Sequence, residues 1–331
     1  MKHPIITSLG LAVLASVSLV TPASAKPDTT TTDSFGSGEN VFTMDFVTVG
    51  NPNYVNDTTG YGGVANTYRM GTYEVSGSAM YRATQAGNLG ITRDLNYNNI
   101  ATGISWNEAA RFVNWLNTSS GSVAAYKFAV QPGQEGYNVD VGIALWTSGE
   151  AGYNDQNPFR NSNAKYFLPS ENEWYKAAYY DPNKPGAAGY WDYATRTDTA
   201  PTPVNEGTDA GTAVYNQVLP GNQPADYNRA GGLSPYGTMG QDGNAWEWTE
   251  STWAGPYDTS YGRTVLGGCW LSDSSSLISS NRGQISPEDG YTTTGFRVAS
   301  LTAVPEVTSS FTMLGLISSG LLLRRRTKTL R

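Results

Sequence analysis

Cysteine and histidine are almost absent from this 331-residue chain, which carries one of each. The single cysteine, Cys269, cannot form an intramolecular disulfide, and the single histidine, His3, lies at the extreme N-terminus. The body of the chain therefore cannot build a histidine-based iron or zinc site, a histidine general base or a Ser-His-Asp triad. A linear two-thiolate copper(I) site is excluded as well, because it needs two sulfur ligands.

Charge is also scarce, because charged residues make up 15% of the chain. Of the 21 basic residues six lie at the two ends, against one of the 28 acidic residues, so the net charge of residues 26–304 is near −12. Such a surface repels phosphate backbones, and we do not expect nucleic acid as a partner. Cations and neutral polysaccharides suit it better.

The N-terminal residues have the pattern of a targeting segment. Lys2 and His3 precede a mostly apolar stretch over residues 5–20, and Ala23-Ser24-Ala25 offers a small-residue cleavage site. This pattern predicts a signal peptide over residues 1–25, so we expect the mature protein to be exported. Residues 26–39 are rich in threonine and lack apolar periodicity, which predicts a flexible linker.

Residues 301–331 combine an apolar run with an arginine cluster. The run extends from Phe311 to Leu323, and Arg324-Arg325-Arg326 follows at once. A helix of this length covers about 20 Å, less than the roughly 30 Å hydrocarbon layer, and the arginines favour the cytoplasmic side. With Val304-Pro305-Glu306 before it, this layout resembles a PEP-CTERM sorting tail. The resemblance implies transient membrane anchoring, export machinery and an exosortase-type sorting enzyme as partners, and a final location at the cell-envelope surface or in the extracellular matrix.

Between the two ends, short periodic segments alternate with long connections. Phe42, Met44 and Phe46 alternate with polar residues and predict an early strand with one buried face. Residues 118–165 are rich in Gly, Asn, Ser and Gln and show no sustained period, which predicts a long loop.

Two Ser-x-x-Glu motifs mark predicted helix starts. Ser105 precedes Glu108 by three positions, and Ser170 precedes Glu173 in the same way, which is the spacing of a capping box. An amphipathic stretch follows each motif, so the sequence predicts two main helices. Three polar residues of these stretches are expected to face solvent: Arg111, Asn114 and Lys176.

The segment Gly243–Thr249 places two tryptophans on either side of one glutamate. In an extended segment Trp246 and Trp248 would share a face, while Glu247 would point the other way. A carboxylate held among buried tryptophans needs a partner, which we expect to be an arginine, backbone N–H groups or a hard cation such as calcium.

The sequence of residues 236–248, YGTMGQDGNAWEW, resembles the signature of the sulfatase-modifying factor family, the formylglycine-generating enzyme superfamily. Further segments resemble family motifs in the expected order: Met70–Ser76, Ile104–Ala109, Leu168–Trp174, Gly267–Trp270, and Arg282 with Gly295–Arg297. The resemblance covers residues 40–300. It implies a complex, loop-rich α+β domain related to C-type lectins, with short strands and two main helices.

The resemblance also shows which catalytic atoms are missing. The two copper-binding cysteines of formylglycine-generating enzymes would fall at Ser272 and near Ser276 or Leu277, and a second, iron-dependent branch of the superfamily uses histidines that this chain lacks. We therefore expect no copper, iron or zinc site. Cys269 stands at the serine position of the family's Gly-Gly-Ser motif, and we expect it to be a small buried residue.

Calcium is the metal ion that the resemblance still allows. One family calcium site maps onto Gly240, Gly243, Ala245 and Glu247, with Asp242 as a substitute for the side chain that Gly240 lacks. The alternative is that Glu247 accepts backbone N–H bonds in a tight turn. A second family site would begin at Asn216, with Asp226 as a candidate partner.

Aromatic residues near the family's active cleft are candidates for a ligand surface. Exposed aromatic rings stack well on sugars, and we single out Trp253, Tyr257 and Trp270, although core packing is the alternative for each of them. Arg297 is expected to tie a carboxylate or carbonyl inside the fold. We expect a non-catalytic binding or structural module, with extracellular polysaccharide as its ligand. An oxidoreductase of the formylglycine-generating type, or another enzyme of the superfamily with unrecognised chemistry, is the alternative.

Overall fold

The computed structural model of the chain describes residues 30–92, 99–217, 223–254 and 257–301. The expected signal peptide, residues 1–25, lies outside these ranges, and so does the expected sorting tail beyond residue 301. No helix within the described ranges has both the length and the apolar character that a membrane span requires.

The described residues contain three α-helices: α1 (Gly77–Gly87), α2 (Trp106–Ser119) and α3 (Glu171–Tyr179). Both predicted capping boxes are present at the starts of α2 and α3. In the first, the hydroxyl of Ser105 accepts the N–H of Glu108 at 3.1 Å, while the carboxylate of Glu108 accepts the N–H of Ser105 at 2.8 Å. The two predicted helix starts are therefore confirmed.

Helix α1 was not predicted. Its N-cap, Ser76, accepts the N–H of Ala79 at 3.1 Å, but an alanine at this third position cannot complete a capping box. The prediction that polar residues of α2 and α3 face solvent is wrong, because all three are buried: Arg111, Asn114 and Lys176.

The strands are short, and in chain order they are β1 (Thr31–Phe35), β2 (Phe42–Val49), β3 (Tyr68–Gly71), β4 (Tyr166–Phe167), β5 (Tyr180–Asp181), β6 (Gly189–Tyr190), β7 (Thr202–Pro203), β8 (Thr212–Ala213), β9 (Trp246–Thr252), β10 (Arg263–Leu266), β11 (Gly283–Ile285), β12 (Thr294–Gly295) and β13 (Ala299–Leu301). They form a five-stranded antiparallel sheet in the order β1-β2-β3-β13-β4 and a four-stranded sheet in the order β11-β10-β9-β12. Two smaller sheets pair β5 with β6 and β7 with β8. This mixed α+β, loop-rich architecture matches the predicted fold class, with one more helix than expected.

Strand β1 replaces part of the linker that was predicted over residues 26–39. It pairs with β2 along its whole length, from Thr31 opposite Phe46 to Phe35 opposite Phe42. The carboxylate of Asp33 accepts two bonds from Arg69 of β3, at 3.1 and 2.6 Å. Phe35 is buried. One buried aromatic side chain and one ion pair thus hold this segment in the sheet, although its sequence lacks apolar periodicity.

Two tryptophans join α2 to β9, the strand that carries the tryptophan motif. Trp106 and Trp248 are fully buried, and a buried indole N–H needs an acceptor. Trp106 Nε1 donates to the carbonyl of Thr249 at 2.9 Å, and Trp248 Nε1 donates to the carbonyl of Ile104 at 2.8 Å. This crossed pair of bonds fixes the four-stranded sheet against the start of α2.

Candidate functional site

The glutamate between the two tryptophans, Glu247, is paired with Arg297. The Nε and Nη2 atoms of Arg297 each donate to one carboxylate oxygen at 2.5 Å, and Trp174 Nε1 donates to Oε2 at 2.8 Å. The guanidinium also donates to the carbonyls of Gly71 and Met239, at 3.0 and 2.8 Å. Both charged side chains are completely buried. Of the partners that the sequence allowed for Glu247, the structure shows arginine.

A second buried carboxyl group, that of Glu74, lies close to this ion pair. Asn244 Nδ2 donates to its Oε2 at 2.5 Å, and the N–H of Ala245 donates to its Oε1 at 3.1 Å. Burial, followed by the negative charge of Glu247, raises the pKa of Glu74 well above its usual range. Protonation of Glu74 is therefore easier than that of an exposed glutamate, and Glu247 is the carboxylate that bonds to Arg297 directly.

The residues expected to bind calcium surround the same ion pair. Gly240 and Gly243 have positive φ angles, of 80° and 86°, and a Cβ atom on Gly240 would lie 2.6 Å from a carboxylate oxygen of Glu74. The guanidinium already occupies both oxygens of Glu247. Arg297 therefore neutralises the carboxylate that should anchor calcium, which disfavours a cation at this place.

The expected second calcium site also lacks a cluster of ligands. Asn216 is exposed, with a φ of 57°, and its N–H donates to the carbonyl of Ser272 at 2.8 Å. Asp226 forms an isolated bridge with Asn99. Within the described ranges, no three His, Cys, Asp or Glu side chains lie close enough together to hold a metal ion.

The environment of Cys269 does not fit the family's copper centre. The thiol is buried, and its Sγ lies 3.4 Å from the Oγ of Ser272, the position of the family's first copper-binding cysteine. The backbone N–H of Cys269 donates to the same hydroxyl at 3.0 Å. One thiol beside one hydroxyl cannot provide the two thiolates of a linear copper(I) site.

A surface cluster forms where β9 ends, and it consists of Trp253, Arg282, Tyr61 and Glu171. The guanidinium of Arg282 lies between two rings, 4.7 Å from the centroid of Trp253 and 4.5 Å from that of Tyr61. Arg282 Nε lies 2.8 Å from the buried Glu171 carboxylate, and Nη2 donates to the carbonyl of Trp253 at 3.2 Å. The Trp253 side chain remains 37% exposed. Burial raises the pKa of Glu171 to about 8. The cluster therefore presents an indole ring that an adjacent guanidinium holds in place.

The other two expected ligand residues lie elsewhere and are packed into the protein. The ring of Tyr257 is partly buried and packs edge-on against Phe159, with 5.0 Å between centroids. Burial, then the charge of Glu250, raises the pKa of Tyr257 to about 12. Trp270 is 6% exposed and belongs to a buried cluster with Cys269. Of the three aromatic candidates, Trp253 alone presents an exposed ring.

No sequence pattern indicated Tyr61 or Glu171 as neighbours of Trp253. Tyr61 follows a glycine in a turn, and Glu171 reads as an ordinary first-turn residue of α3. Both are more than 80 positions from Arg282 in the chain, and periodicity carries no information over that distance. Arg282 was noted as a family motif residue, without a partner.

Comparison with known proteins bears on the fold and the family. The chain is similar to variable protein 1 of Treponema denticola, with 20% identity and a TM-score of 0.55 over 82% of this chain and 99% of that one. PvdO from Pseudomonas aeruginosa gives 16% identity and a TM-score of 0.46 over 82% and 98% of the two chains. No curated protein matches significantly.

The T. denticola structure supports the fold and, at this identity, nothing more. The family model of the sulfatase-modifying factor enzyme 1-like domain matches residues 37–301, which is most of the chain. All six motif segments and the Glu247–Arg297 ion pair lie within that range. The chain therefore belongs to the sulfatase-modifying factor enzyme 1-like family.

Proposed function

We propose that this protein is an exported, non-catalytic binding module that holds extracellular polysaccharide at the Trp253 cluster. The observation that carries the proposal is the exposed indole of Trp253, fixed by Arg282 at 4.7 Å. An aromatic ring that is ordered before binding stacks on a sugar ring with little loss of conformational entropy.

The charge of the cluster supports a neutral ligand. The guanidinium of Arg282 lies against Glu171 and two aromatic rings, and its side chain is 20% exposed, so the cluster offers little open positive charge to an anionic polymer. The body of the chain is strongly acidic, which further disfavours polyanions. A neutral polysaccharide meets neither obstacle.

The donor atoms support a binding role over an enzymatic one. Cys269 is the only thiol, and Ser272 stands where the family's first copper ligand would be. Neither residue forms an acid–base pair with a titratable neighbour in the contacts described above. The proposed location, at the envelope surface or in the extracellular matrix, rests on the targeting patterns at the two ends of the sequence.

Affinity electrophoresis in gels containing neutral polysaccharides tests the proposal. The affinity derived from retardation of the full-length mature protein should fall about fivefold in Trp253→Ala, since one lost stacking contact is worth about 1 kcal/mol. Tyr81→Ala is the matched control, because Tyr81 lies on α1 with a similar exposure of 39%. Equal retardation of wild type and Trp253→Ala would rule out this cluster as the binding surface.

The enzymatic alternative has its own test. Loading the purified protein with copper(I) and supplying a Cys-x-Pro-x-Arg peptide should give no formylglycine product. Stoichiometric tight copper(I) binding with turnover would contradict a non-catalytic role, whatever the polysaccharide result.

A further inference from the structure

A polar cavity of about 370 Å³ opens between strand β2 and the start of helix α1, away from the Trp253 cluster. Small-molecule sites range from about 300 to 1,000 Å³, so this cavity has room for a small ligand only. Its walls come from residues 41–45, 73–76 and 78–79 and from Arg82, Tyr227 and Asn228. The sequence suggested no ligand-binding role for any of them.

The cavity exists because β2 continues beyond the end of its neighbour β3. The last β2–β3 pair joins Phe46 to Gly71, and the N–H of Thr72 then donates to the carbonyl of Asp45 at 2.8 Å. Beyond this bond the chain leaves β2 and turns into α1. At the other end of the gap, Arg82 Nη1 donates to the carbonyl of Val41 at 2.7 Å.

Thr43 lies between Val41 and Asp45, the two residues of β2 and its N-terminal end whose carbonyl groups already accept these bonds. Carbonyl groups of alternate residues in a strand point to the same side, so the carbonyl of Thr43 points the same way as those of Val41 and Asp45. Its N–H and C=O therefore face the cavity. They supply one donor and one acceptor at fixed positions.

An aromatic pair forms one wall of the cavity. The rings of Tyr73 and Tyr227 meet edge to face, with 5.4 Å between centroids and 83° between planes. Two hydroxyl groups also belong to the lining, those of Ser76 and Ser78, whose Oγ atoms lie 3.1 Å apart. A ring surface facing several hydroxyl, carbonyl and carboxyl groups suits a ligand that has one apolar face and a polar edge.

The charges around the cavity favour a neutral ligand. Arg82 is the only basic residue in the lining, and its Nη1 is already bonded to the carbonyls of Glu39 and Val41. Asp45 contributes a carboxylate, which accepts the hydroxyl of Thr32. Glu74 closes the inner end, where burial raises its pKa. The lining therefore holds one guanidinium against two carboxyl groups, which gives an anionic ligand no net attraction.

We infer that this cavity is a second saccharide site, which takes a single neutral sugar residue against the Tyr73–Tyr227 pair. The inference rests on the proposed polysaccharide-binding function and adds a site to it. A strand-like peptide fits less well, since Thr43 alone offers free edge positions and strand addition needs a longer run.

Saturation-transfer NMR with glucose, galactose, mannose and N-acetylglucosamine as separate probes tests this site on the mature protein. At least one sugar should receive magnetisation from the wild type. The signal should be lost, or weakened about tenfold, in Asp45→Asn, which keeps an acceptor for Thr32, and in Ser78→Phe, which fills the cavity from the surface of α1. Because Trp253 is itself a proposed sugar contact, both cavity variants are made in a Trp253→Ala background, in which a signal from the cavity should persist.

Three outcomes would overturn the inference. They are no transfer to any of the four sugars, an unchanged signal in both cavity variants, and a signal lost in Trp253→Ala instead. In the first case, polysaccharide retardation through Trp253 would still support the proposed function, so the two failures are distinguishable. Melting curves of Asp45→Asn and Ser78→Phe confirm folding, and if one variant unfolds, the other decides. Displacement of bound sugar by an unrelated extended peptide would reassign the cavity to peptide binding.

Discussion

Arg297 and Glu247 form an ion pair that is completely buried. A carboxylate held between the two tryptophans of β9 needs a partner that supplies hydrogen bonds or positive charge. The arginine lies 50 positions further along the chain and reaches Glu247 because β12 pairs in parallel with β9. A motif states what a buried carboxylate requires, whereas the fold determines which group meets that requirement.

Removal of this guanidinium should destabilise the protein strongly. Arg297→Ala leaves Glu247 buried without a counter-charge, and breaking such a pair costs about 3–5 kcal/mol in the free energy of unfolding. Urea denaturation measures the loss. Arg229→Ala is the matched control, because its pair with Glu206 is half-exposed and surface pairs are worth about 0–1 kcal/mol. Similar losses in the two variants would contradict the structural role of Arg297.

Asp242 predicts a pH dependence of stability. Burial raises its pKa from 3.8 to about 6, against the opposing bonds from Thr195. The folded state holds this proton more tightly than the unfolded state, so its contribution is most favourable below about pH 4 and falls as the pH rises to about 6. The fall amounts to about 3 kcal/mol.

Asp242→Asn should remove that part of the pH dependence. Urea unfolding at pH 4 and pH 7 should give a smaller loss of stability on raising the pH in the variant than in the wild type. An identical difference between the two pH values in both proteins would show that Asp242 does not titrate in this range.

At the scale of elements, a feature could be predicted from the sequence when the residues that determine it are close together in the chain. The starts of α2 and α3 were predicted because a capping box lies within four residues. The burial of Arg111 was not, because its partners come from the long loop after α2. There, Nη2 donates to the carbonyl of Asn138 at 2.9 Å and the guanidinium lies 3.9 Å from the ring centroid of Phe128. Amphipathic periodicity cannot show that a loop will fold back over the polar face of a helix.

The cap of α3 provides a test at this scale. Ser170→Ala removes the acceptor for the N–H of Glu173, at 3.2 Å, and should cost about 0.5–2 kcal/mol. Thermal unfolding would detect it. Ser119→Ala, at the exposed end of α2, should change the melting temperature much less. A larger effect at Ser119 than at Ser170 would contradict the capping role.

At the scale of the whole molecule, the single thiol reports on global opening. Cys269 is 5% exposed and packs beside Trp270, so a bulky maleimide should label the native protein slowly and the urea-unfolded protein at once. Mass spectrometry measures the extent of labelling. Rapid modification of the native protein would contradict the burial of this residue.

Calcium binding is tested on the intact molecule as well. Because Arg297 neutralises Glu247, millimolar calcium should leave the melting temperature unchanged, with the magnesium salt as the ionic-strength control. A rise specific to calcium would show that the cation binds in spite of the ion pair, or at another place.

Strand β1 sets a practical boundary for the domain. The family match starts at residue 37, just after this strand. A version trimmed to residues 37–301 would strip β2 of its outer neighbour and expose a row of unpaired amides, together with the aromatic surface that Phe35 shields. Unpaired strand edges of this kind form hydrogen bonds with the edges of other molecules. Light scattering should show the trimmed domain self-associating at concentrations where the mature chain stays monodisperse, so the five residues that precede the family's own limits act as a guard against aggregation.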